Sequence, residues 1–189
     1  MGVVGTVAKE HANAGVNSTS PQTQIRYNPL ISTSVRINNT EDIRIWFALT
    51  NNSKDTDFID GTLSNATVSL AGLRYSHFLS PASNQGFAND TNWQCVSKSA
   101  TTGTNISTNI QLLNNTQFNL TVYATPNQVC CEVNDVNVCT TSTLPDPTTN
   151  MFIHNMVSNG TTGSCSATGK CGGGPYVKYF ISKVYFEDN

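Results

Sequence analysis

The sequence predicts an all-β protein built as an antiparallel β-sandwich. Three observations support this. No segment of convincing length has the apolar period of a helix, and short β-branched and aromatic runs recur between clusters of Asn, Ser, Gly and Pro. One run, Gln117–Thr125, also alternates strictly between apolar and polar residues. A chain of 189 residues is long enough to bury a core and corresponds to one domain of ordinary size or, alternatively, to two small ones.

Ten segments carry the strand signal. In chain order they are Ile25–Leu30, Ser34–Ile37, Ile43–Thr50, Ala66–Tyr75, Trp93–Lys98, Asn105–Leu112, Gln117–Thr125, Gln128–Val133, Met151–Val157 and Val177–Phe186. About ten short strands separated by turn residues are typical of an immunoglobulin-like or pilin-like antiparallel β-sandwich.

The segment Gln117–Thr125 predicts a half-buried strand. Its apolar side chains fall on the even positions from Phe118 to Ala124, and polar ones, Asn119 among them, fall on the odd positions. Because successive side chains of a strand point to opposite faces, Asn119 is expected to face solvent.

The C-terminal run Tyr176–Phe186 is the longest strand candidate and is apolar on both faces, which predicts a central strand. The preceding segment Leu144–Asn150 is expected to be a loop, because Pro145 and Pro147 exclude regular pairing there.

The N-terminal segment divides the chain into an arm, residues 1–21, and a sandwich domain, residues 22–189. Residues 1–8 are small and apolar on both faces, with Val3, Val4, Val7 and Ala8 as the residues expected to insert, and residues 9–21 have the composition of a linker. Such an arm predicts a strand that pairs into the open edge of a neighbouring molecule. The alternative is that it folds back as an edge strand of its own domain.

Composition excludes several classes of protein. Asn, Ser and Thr make up 66 of the 189 residues, only 12% of residues are charged, and the net charge is −2. A nucleic-acid-binding surface needs clustered basic residues, so no nucleic-acid partner is expected. The apolar runs are also too short to span a bilayer.

Nine N-x-[Ser/Thr] sequons suggest that the polar surface is a glycan coat, and N-linked glycans are the only attached groups we expect, with no cofactor. The alternative is that Thr-rich strands generate sequons by accident. The predicted glycosylation sites are Asn17, Asn38, Asn51, Asn65, Asn89, Asn105, Asn114, Asn119 and Asn159.

Six cysteines in a sequon-rich chain predict up to three disulfides and an extracellular location. They are Cys95, Cys130, Cys131, Cys139, Cys165 and Cys171. Sequence alone does not choose among the fifteen possible pairings. The adjacent Cys130 and Cys131 are expected to have different partners, since neighbouring strand residues face opposite ways. No signal peptide is recognisable, so the chain is expected to be a mature form.

No catalytic constellation is recognisable, and the sequence therefore predicts that the protein is not an enzyme. The histidines His11, His77 and His154 are far apart, and His154 is expected to be an ordinary sheet histidine. The acidic cluster Asp55, Asp57 and Asp60 is a weak calcium candidate, because its spacing departs from the EF-hand pattern and no bidentate Glu follows.

The apolar arm 1–8, the linker 9–21 and the sequon-rich sandwich together resemble subunits of donor-strand-linked surface filaments, such as the glycosylated threads of Sulfolobus-type archaea. The resemblance implies head-to-tail polymerisation with identical subunits, a cell-surface appendage and a role in surface attachment. The alternative is a secreted, glycosylated β-sandwich binding module, such as an adhesin, a viral spike or capsid domain, or a receptor ectodomain. A secreted hydrolase is disfavoured at this point, because no catalytic motif is present.

Overall fold

A computed structural model describes residues 2–5, 13–40, 43–52, 68–77, 90–100, 102–159 and 178–189. These residues contain fourteen strands and a single turn of 3-10 helix at Ile25–Tyr27. The strands are β1 (Gly2–Gly5), β2 (Asn13–Asn17), β3 (Thr23–Gln24), β4 (Leu30–Ile37), β5 (Ile43–Thr50), β6 (Leu70–His77), β7 (Gln94–Lys98), β8 (Gly103–Ser107), β9 (Gln117–Thr125), β10 (Gln128–Val133), β11 (Val136–Thr140), β12 (Asn150–Asn159), β13 (Lys178–Ile181) and β14 (Tyr185–Glu187).

The strands form two antiparallel sheets of seven strands each, which confirms the predicted β-sandwich. Sheet A has the order β1-β13-β4-β9-β10-β11, and β14 also pairs with β4. Sheet B has the order β2-β12-β5-β6-β7-β8, and β3 also pairs with β12. Both sheets combine strands that are distant in sequence, such as β1 with β13 in sheet A and β2 with β12 in sheet B.

The main core lies between the two sheets. In β4 and β9 every second residue is buried, as the alternating pattern of β9 predicted. The central aromatic group consists of Trp93, with Tyr75 at 6.0 Å and Phe118 at 6.1 Å between ring centroids. Further residues of this core are Ile31, Val35, Ile45, Phe47, Leu49, Leu73, Leu120, Val122 and Tyr179.

The central strands of sheet B are buried on both of their faces. All eight residues of β5 and all five of β7 are buried. The odd-numbered residues of β5, from Ile43 to Leu49, belong to the main core. The even-numbered residues face away from it and begin a second apolar cluster, which consists of Trp46, Ala48, Val68, Leu70, Val96 and Met156.

Two disulfides are present among the described cysteines, which confirms that part of the prediction. Cys95 of β7 bonds to Cys131 of β10 and so links sheet B to sheet A. Cys130 bonds to Cys139 between the neighbouring strands β10 and β11. Adjacent cysteines thus have different partners because they face opposite sides of β10. Cys165 and Cys171 lie outside the described residues.

The N-terminal segment contributes strands to its own chain. The backbone of Val3 and Val4 pairs with Phe180 and Tyr179 of β13, and β2 pairs with β12 at the edge of the other sheet. The segment predicted to complete a neighbouring molecule therefore occupies two edges of its own sandwich. The region between β1 and β2, where Val7 and Ala8 lie, is outside the described residues.

Several elements differ from their predicted bounds. Ile25–Tyr27 is a 3-10 turn, and the predicted strands 25–30 and 34–37 are replaced by β4. The C-terminal run is divided into β13 and β14, which both pair with β4. The strands β2, β3 and β11 were not predicted. No helix in the described ranges is long and apolar enough to cross a membrane.

Candidate functional site

The outer face of sheet B, which points away from the main core, carries an unusual row of large polar and aromatic side chains. Trp46 of β5 is paired in register with Arg74 of β6, and Arg74 is paired with Gln94 of β7. We call Trp46, Arg74 and Gln94 the central row. The Arg74 guanidinium carbon lies 5.8 Å from the centroid of the Trp46 ring, which is within the range of a cation–π contact.

Beside the central row, the same strands carry much smaller side chains. Ala48 of β5 is paired with Gly72 of β6, and Gly72 is paired with Val96 of β7. A Cβ atom at Gly72 would lie 2.8 Å from the carbonyl oxygen of Phe47 and 2.8 Å from the Cα of Ala48, so a larger residue does not fit without movement. We call this row of small residues, which crosses the strands perpendicular to their direction, the trough, and its side chains Ala48 and Val96 are fully buried.

The far wall of the trough is formed by the next row, Thr50, Leu70 and Lys98, which are again paired in register. Lys98 is buried, and burial lowers the pKa of its ammonium group because the charged form loses hydration. His154 of β12 and Asn105 of β8 stand at the two ends of the trough, paired with Ala48 and Val96.

A buried ion pair holds the central row in place. The guanidinium of Arg74 donates two hydrogen bonds to the Asp90 carboxylate, from Nε at 2.8 Å and from a terminal nitrogen at 2.9 Å. The backbone N–H of Ser76 donates a third to the same carboxylate at 3.0 Å. A bidentate pair of this kind fixes both position and angle of the guanidinium.

Gln94 has a fixed orientation as well. Its side-chain amide nitrogen donates to the carbonyl of Asn92 at 3.0 Å, and its oxygen accepts from Asn105 at 3.4 Å. All three residues of the central row are buried, and Gln94 is the most exposed of them at 8%.

The chemistry of this face favours binding through hydrogen bonds and stacking. Arginine and glutamine provide planar donors, and tryptophan provides an apolar face with a polar edge. The seven strands of sheet B contain no Asp or Glu, and Asp90, which lies beside the sheet, is paired with Arg74. The pair of carboxylates about 5–10 Å apart that glycoside hydrolysis requires is therefore not supplied by these strands.

The outer face of sheet A carries a different feature, a shallow depression with a volume of about 250 Å³. The side chains around it are mostly hydroxyl-bearing and come from β4, β9 and the segment between β13 and β14. They include Ser32, Ser34, Asn119, Thr121, Ser182 and Lys183. This surface has no aromatic residue in its lining, so it lacks the stacking platform of sheet B.

The predicted glycosylation sites fall into three groups. Asn105, Asn114 and Asn119 are exposed, whereas Asn17, Asn38 and Asn51 are half-buried. The side-chain oxygens of Asn38 and Asn51 accept backbone hydrogen bonds from Lys178 at 2.6 Å and Ser69 at 2.8 Å. Asn159 is described only by its backbone in β12, and Asn65 and Asn89 lie outside the described residues. Glycosylation itself stays a prediction.

The other predicted sites are not brought together. His154 is buried on the outer face of β12, and His77 ends β6. His11 and the calcium candidates Asp55, Asp57 and Asp60 lie outside the described residues. Within the described ranges no group of three metal-ligating side chains is present.

Sequence reasoning missed the central row. A partial signal was available, since Arg74 is the only Lys, Arg, Asp or Glu in β6 and Arg44 the only one in the neighbouring β5. A single charged residue in an otherwise uncharged strand indicates a polar contact on one face of that strand.

Comparison with known proteins gives a fold but no family. No family model and no curated protein matches the chain. Among solved structures, the Bacillus licheniformis β-glucanase is 14% identical with a TM-score of 0.57, and the match covers 94% of this chain and 79% of that one.

Two further solved structures are similar over nearly the whole chain. A Bacteroides ovatus GH16 protein of the mixed-linkage glucan PUL, in complex with a G4G4G3G product, is 11% identical with a TM-score of 0.59, covering 98% of this chain and 80% of that one. An alginate lyase from Alteromonas sp. 272 is 10% identical with a TM-score of 0.55, covering 99% and 87%. The fold is therefore a jelly-roll sandwich of the kind these proteins share.

These likenesses correct two predictions. The filament-subunit prediction is contradicted, because the proteins similar to this chain are glucanases and alginate lyases, not pilins. The prediction that the protein is not an enzyme is contradicted on the same ground. It depended on missing sequence motifs, and short motifs do not describe active sites assembled from strands that are distant in sequence.

Proposed function

We propose that the protein recognises a glycan chain along the trough on the outer face of sheet B. Of the predicted alternatives this is the binding module, now with a defined ligand class. The observation that carries the proposal is the central row of Trp46, Arg74 and Gln94 beside a trough whose floor is Ala48 and Gly72. The shared fold of glycan-active proteins supports it.

The geometry suits a linear polysaccharide. A trough that crosses several strands offers successive positions to successive sugar rings, whereas a pit would accept only a chain end. Trp46 supplies a surface for the apolar face of a sugar ring, and the amide group of Gln94 is held at a fixed angle where it can meet ring hydroxyls. The Asp90 carboxylate keeps Arg74 fixed before the ligand arrives, which reduces the entropy lost on binding.

Burial of the row sets a condition on binding. Trp46 is 5% and Gln94 8% exposed, so a bound sugar must replace contacts that cover these side chains in the unliganded chain. The apparent affinity then equals the intrinsic affinity multiplied by the fraction of molecules in which the central row is accessible.

The test is affinity electrophoresis in gels that contain mixed-linkage β-glucan, alginate or, as a reference, starch. We expect at least one of the first two polysaccharides to retard the protein, and we expect Gln94→Ala to weaken that retardation about tenfold, the equivalent of one or two lost hydrogen bonds. Two further assays show whether the bound polysaccharide is also cleaved. Both reactions release reducing ends, and only elimination also creates unsaturated ends, which are measured by their absorbance.

The matched control is Gln128→Ala, the same substitution on β10 of sheet A, where Gln128 is half-buried. Thermal unfolding of both variants checks that neither loses its fold. The proposed site is contradicted if none of the glycans retards the protein. It is also contradicted if Gln128→Ala weakens the retardation as much as Gln94→Ala does.

We also infer an extracellular location. Two disulfides and nine sequons support it, because disulfides persist in oxidising compartments and N-glycans are added during secretion.

A further inference from the structure

The depression on the outer face of sheet A surrounds the side chain of Asn119. This residue begins the sequon Asn119-Leu120-Thr121 on β9, and it is exposed. Because Asn119 and Thr121 are two positions apart on one strand, both face the depression. The volume of about 250 Å³ is that of about eight water molecules at ~30 Å³ each, enough for roughly one sugar ring.

Hydrogen bonds fix Asn119 and leave its amide nitrogen available. The hydroxyl of Ser34 donates to the side-chain oxygen at 2.6 Å. The backbone N–H of Asn119 donates to the side-chain oxygen of Asn134 at 2.8 Å. The side-chain nitrogen, to which an N-glycan is attached, makes no hydrogen bond to any residue in the described ranges.

The rim of the depression contains polar groups that lack partners. The side chains of Ser32, Thr121 and Lys183 form no hydrogen bond with other residues that the structure describes, although all three line the depression. Ser182 is different, since its hydroxyl accepts from the backbone N–H of Ser34 at 2.8 Å and donates to the carbonyl of Lys183 at 3.2 Å. Ser182 thus shapes the site, whereas the other three are free to bind a sugar.

We propose that Asn119 carries an N-linked glycan whose first sugar lies in this depression and stabilises sheet A. In the attachment step the Asn119 amide nitrogen forms a bond to the anomeric carbon of a sugar that is activated as a lipid-linked pyrophosphate. The bond from that carbon to the pyrophosphate breaks, the pyrophosphate leaves with the bonding electron pair, and the amide loses one proton. No oxidation or reduction takes place.

The hydroxyl groups of the bound sugar replace water as hydrogen-bond partners of Ser32, Thr121 and Lys183. It also bridges β4, β9 and the segment that follows β13, three parts of sheet A that are distant in sequence. A glycan at this position therefore acts as a clamp across the strands, and not only as a coat.

The test uses the whole chain secreted from a glycosylating host, with glycopeptide mass spectrometry to determine occupancy. We expect Asn119 to be occupied, and we expect Asn119→Gln to lower the melting temperature by about 2–4 °C. The matched control is Asn114→Gln, which removes an exposed sequon in the turn before β9 and is expected to leave the melting temperature unchanged.

A second variant separates the seat from the attachment. Ser32→Ala preserves the sequon, and it should reduce the difference in melting temperature between glycosylated protein and protein treated with a glycan-removing amidase. The proposal is overturned if Asn119 carries no glycan. It is also overturned if Asn119 is glycosylated but loss of its glycan changes the melting temperature no more than loss of the glycan at Asn114. The sites lie on different sheets, so glycan binding by sheet B is unaffected by either outcome.

Discussion

Tyr179 extends across the main core and joins the two sheets by a hydrogen bond. It belongs to β13 of sheet A and is completely buried, and its hydroxyl donates to the side-chain oxygen of Asn155 on β12 of sheet B at 2.8 Å. Burial raises the pKa of this hydroxyl well above its usual value, because the phenolate would lose its hydration. One buried hydrogen bond thus links the two sheets across the core.

Replacement of Tyr179 by Phe should destabilise the protein by about 1–3 kcal/mol, because it removes the hydrogen bond and leaves the Asn155 amide without its partner in the core. Urea unfolding at neutral pH measures the change. Tyr185→Phe is the control, since Tyr185 is exposed and loses only a surface hydrogen bond to Glu187. Equal effects of the two substitutions would contradict a special role for Tyr179.

The same residue predicts how stability depends on alkaline pH. Its pKa is raised in the folded state, so its contribution is complete below the unfolded value of 10.0 and declines as the pH rises above that value. The free energy of unfolding should therefore fall less steeply above pH 10 in Tyr179→Phe than in the parent protein. If the free energy of unfolding falls equally steeply above pH 10 in both proteins, Tyr179 is not the group that causes the loss of stability.

At the scale of elements, the strands that were predicted with correct bounds are those with a clear apolar pattern in their own sequence. The strands Ile43–Thr50, Gln117–Thr125 and Gln128–Val133 begin and end as predicted. The missed strand β11 had a local signal too. Asn134 and Asp135, between two valines, have φ values of 49° and 69°, as the primed turn of a tight hairpin requires.

Other elements depend on contacts that the sequence does not display. The run 176–186 looked like one strand, yet Ser182 interrupts it because its hydroxyl accepts a hydrogen bond from the backbone N–H of Ser34. The trough likewise requires β5, β6 and β7 to be neighbours in a specific register. The apolar runs predicted these strands, but not which of their faces meets the other sheet.

The two described disulfides close loops of very different length, and this predicts different contributions to stability. Cys95–Cys131 spans 36 residues and Cys130–Cys139 spans 9. In the chain-entropy model, the longer loop contributes about 4 kcal/mol and the shorter about 2.5 kcal/mol. Urea unfolding of the two double Cys→Ala variants should show the larger loss for Cys95 and Cys131, and the reverse order would contradict the entropic account.

At the scale of the whole molecule, the two described N-terminal segments, Gly2–Gly5 and Asn13–Asn17, each belong to a different sheet. β1 forms the edge of sheet A beside β13, and β2 forms the edge of sheet B beside β12. A segment that already pairs as a strand within its own chain is not available for insertion into the sheet of a neighbour. This is the physical reason why the arm that suggested a polymer belongs to the fold of a single chain.

Removal of residues 2–5 should leave a monomer that is less stable by about 2 kcal/mol, since the few backbone hydrogen bonds between β1 and β13 are lost. Light scattering after size exclusion measures the mass, and urea unfolding measures the stability. The full chain is the control and should be monomeric as well. Polymers of the full chain that disappear on deletion would contradict this result.

The pairing of β1 with β13 also determines when the protein can fold. Gly2 is paired with Ile181, so sheet A cannot be completed until residue 181 has left the ribosome. Contacts between such distant segments form slowly, because a long loop must close first. Sheet A therefore stays incomplete until almost the whole chain has been synthesised, and the sandwich can close only after that.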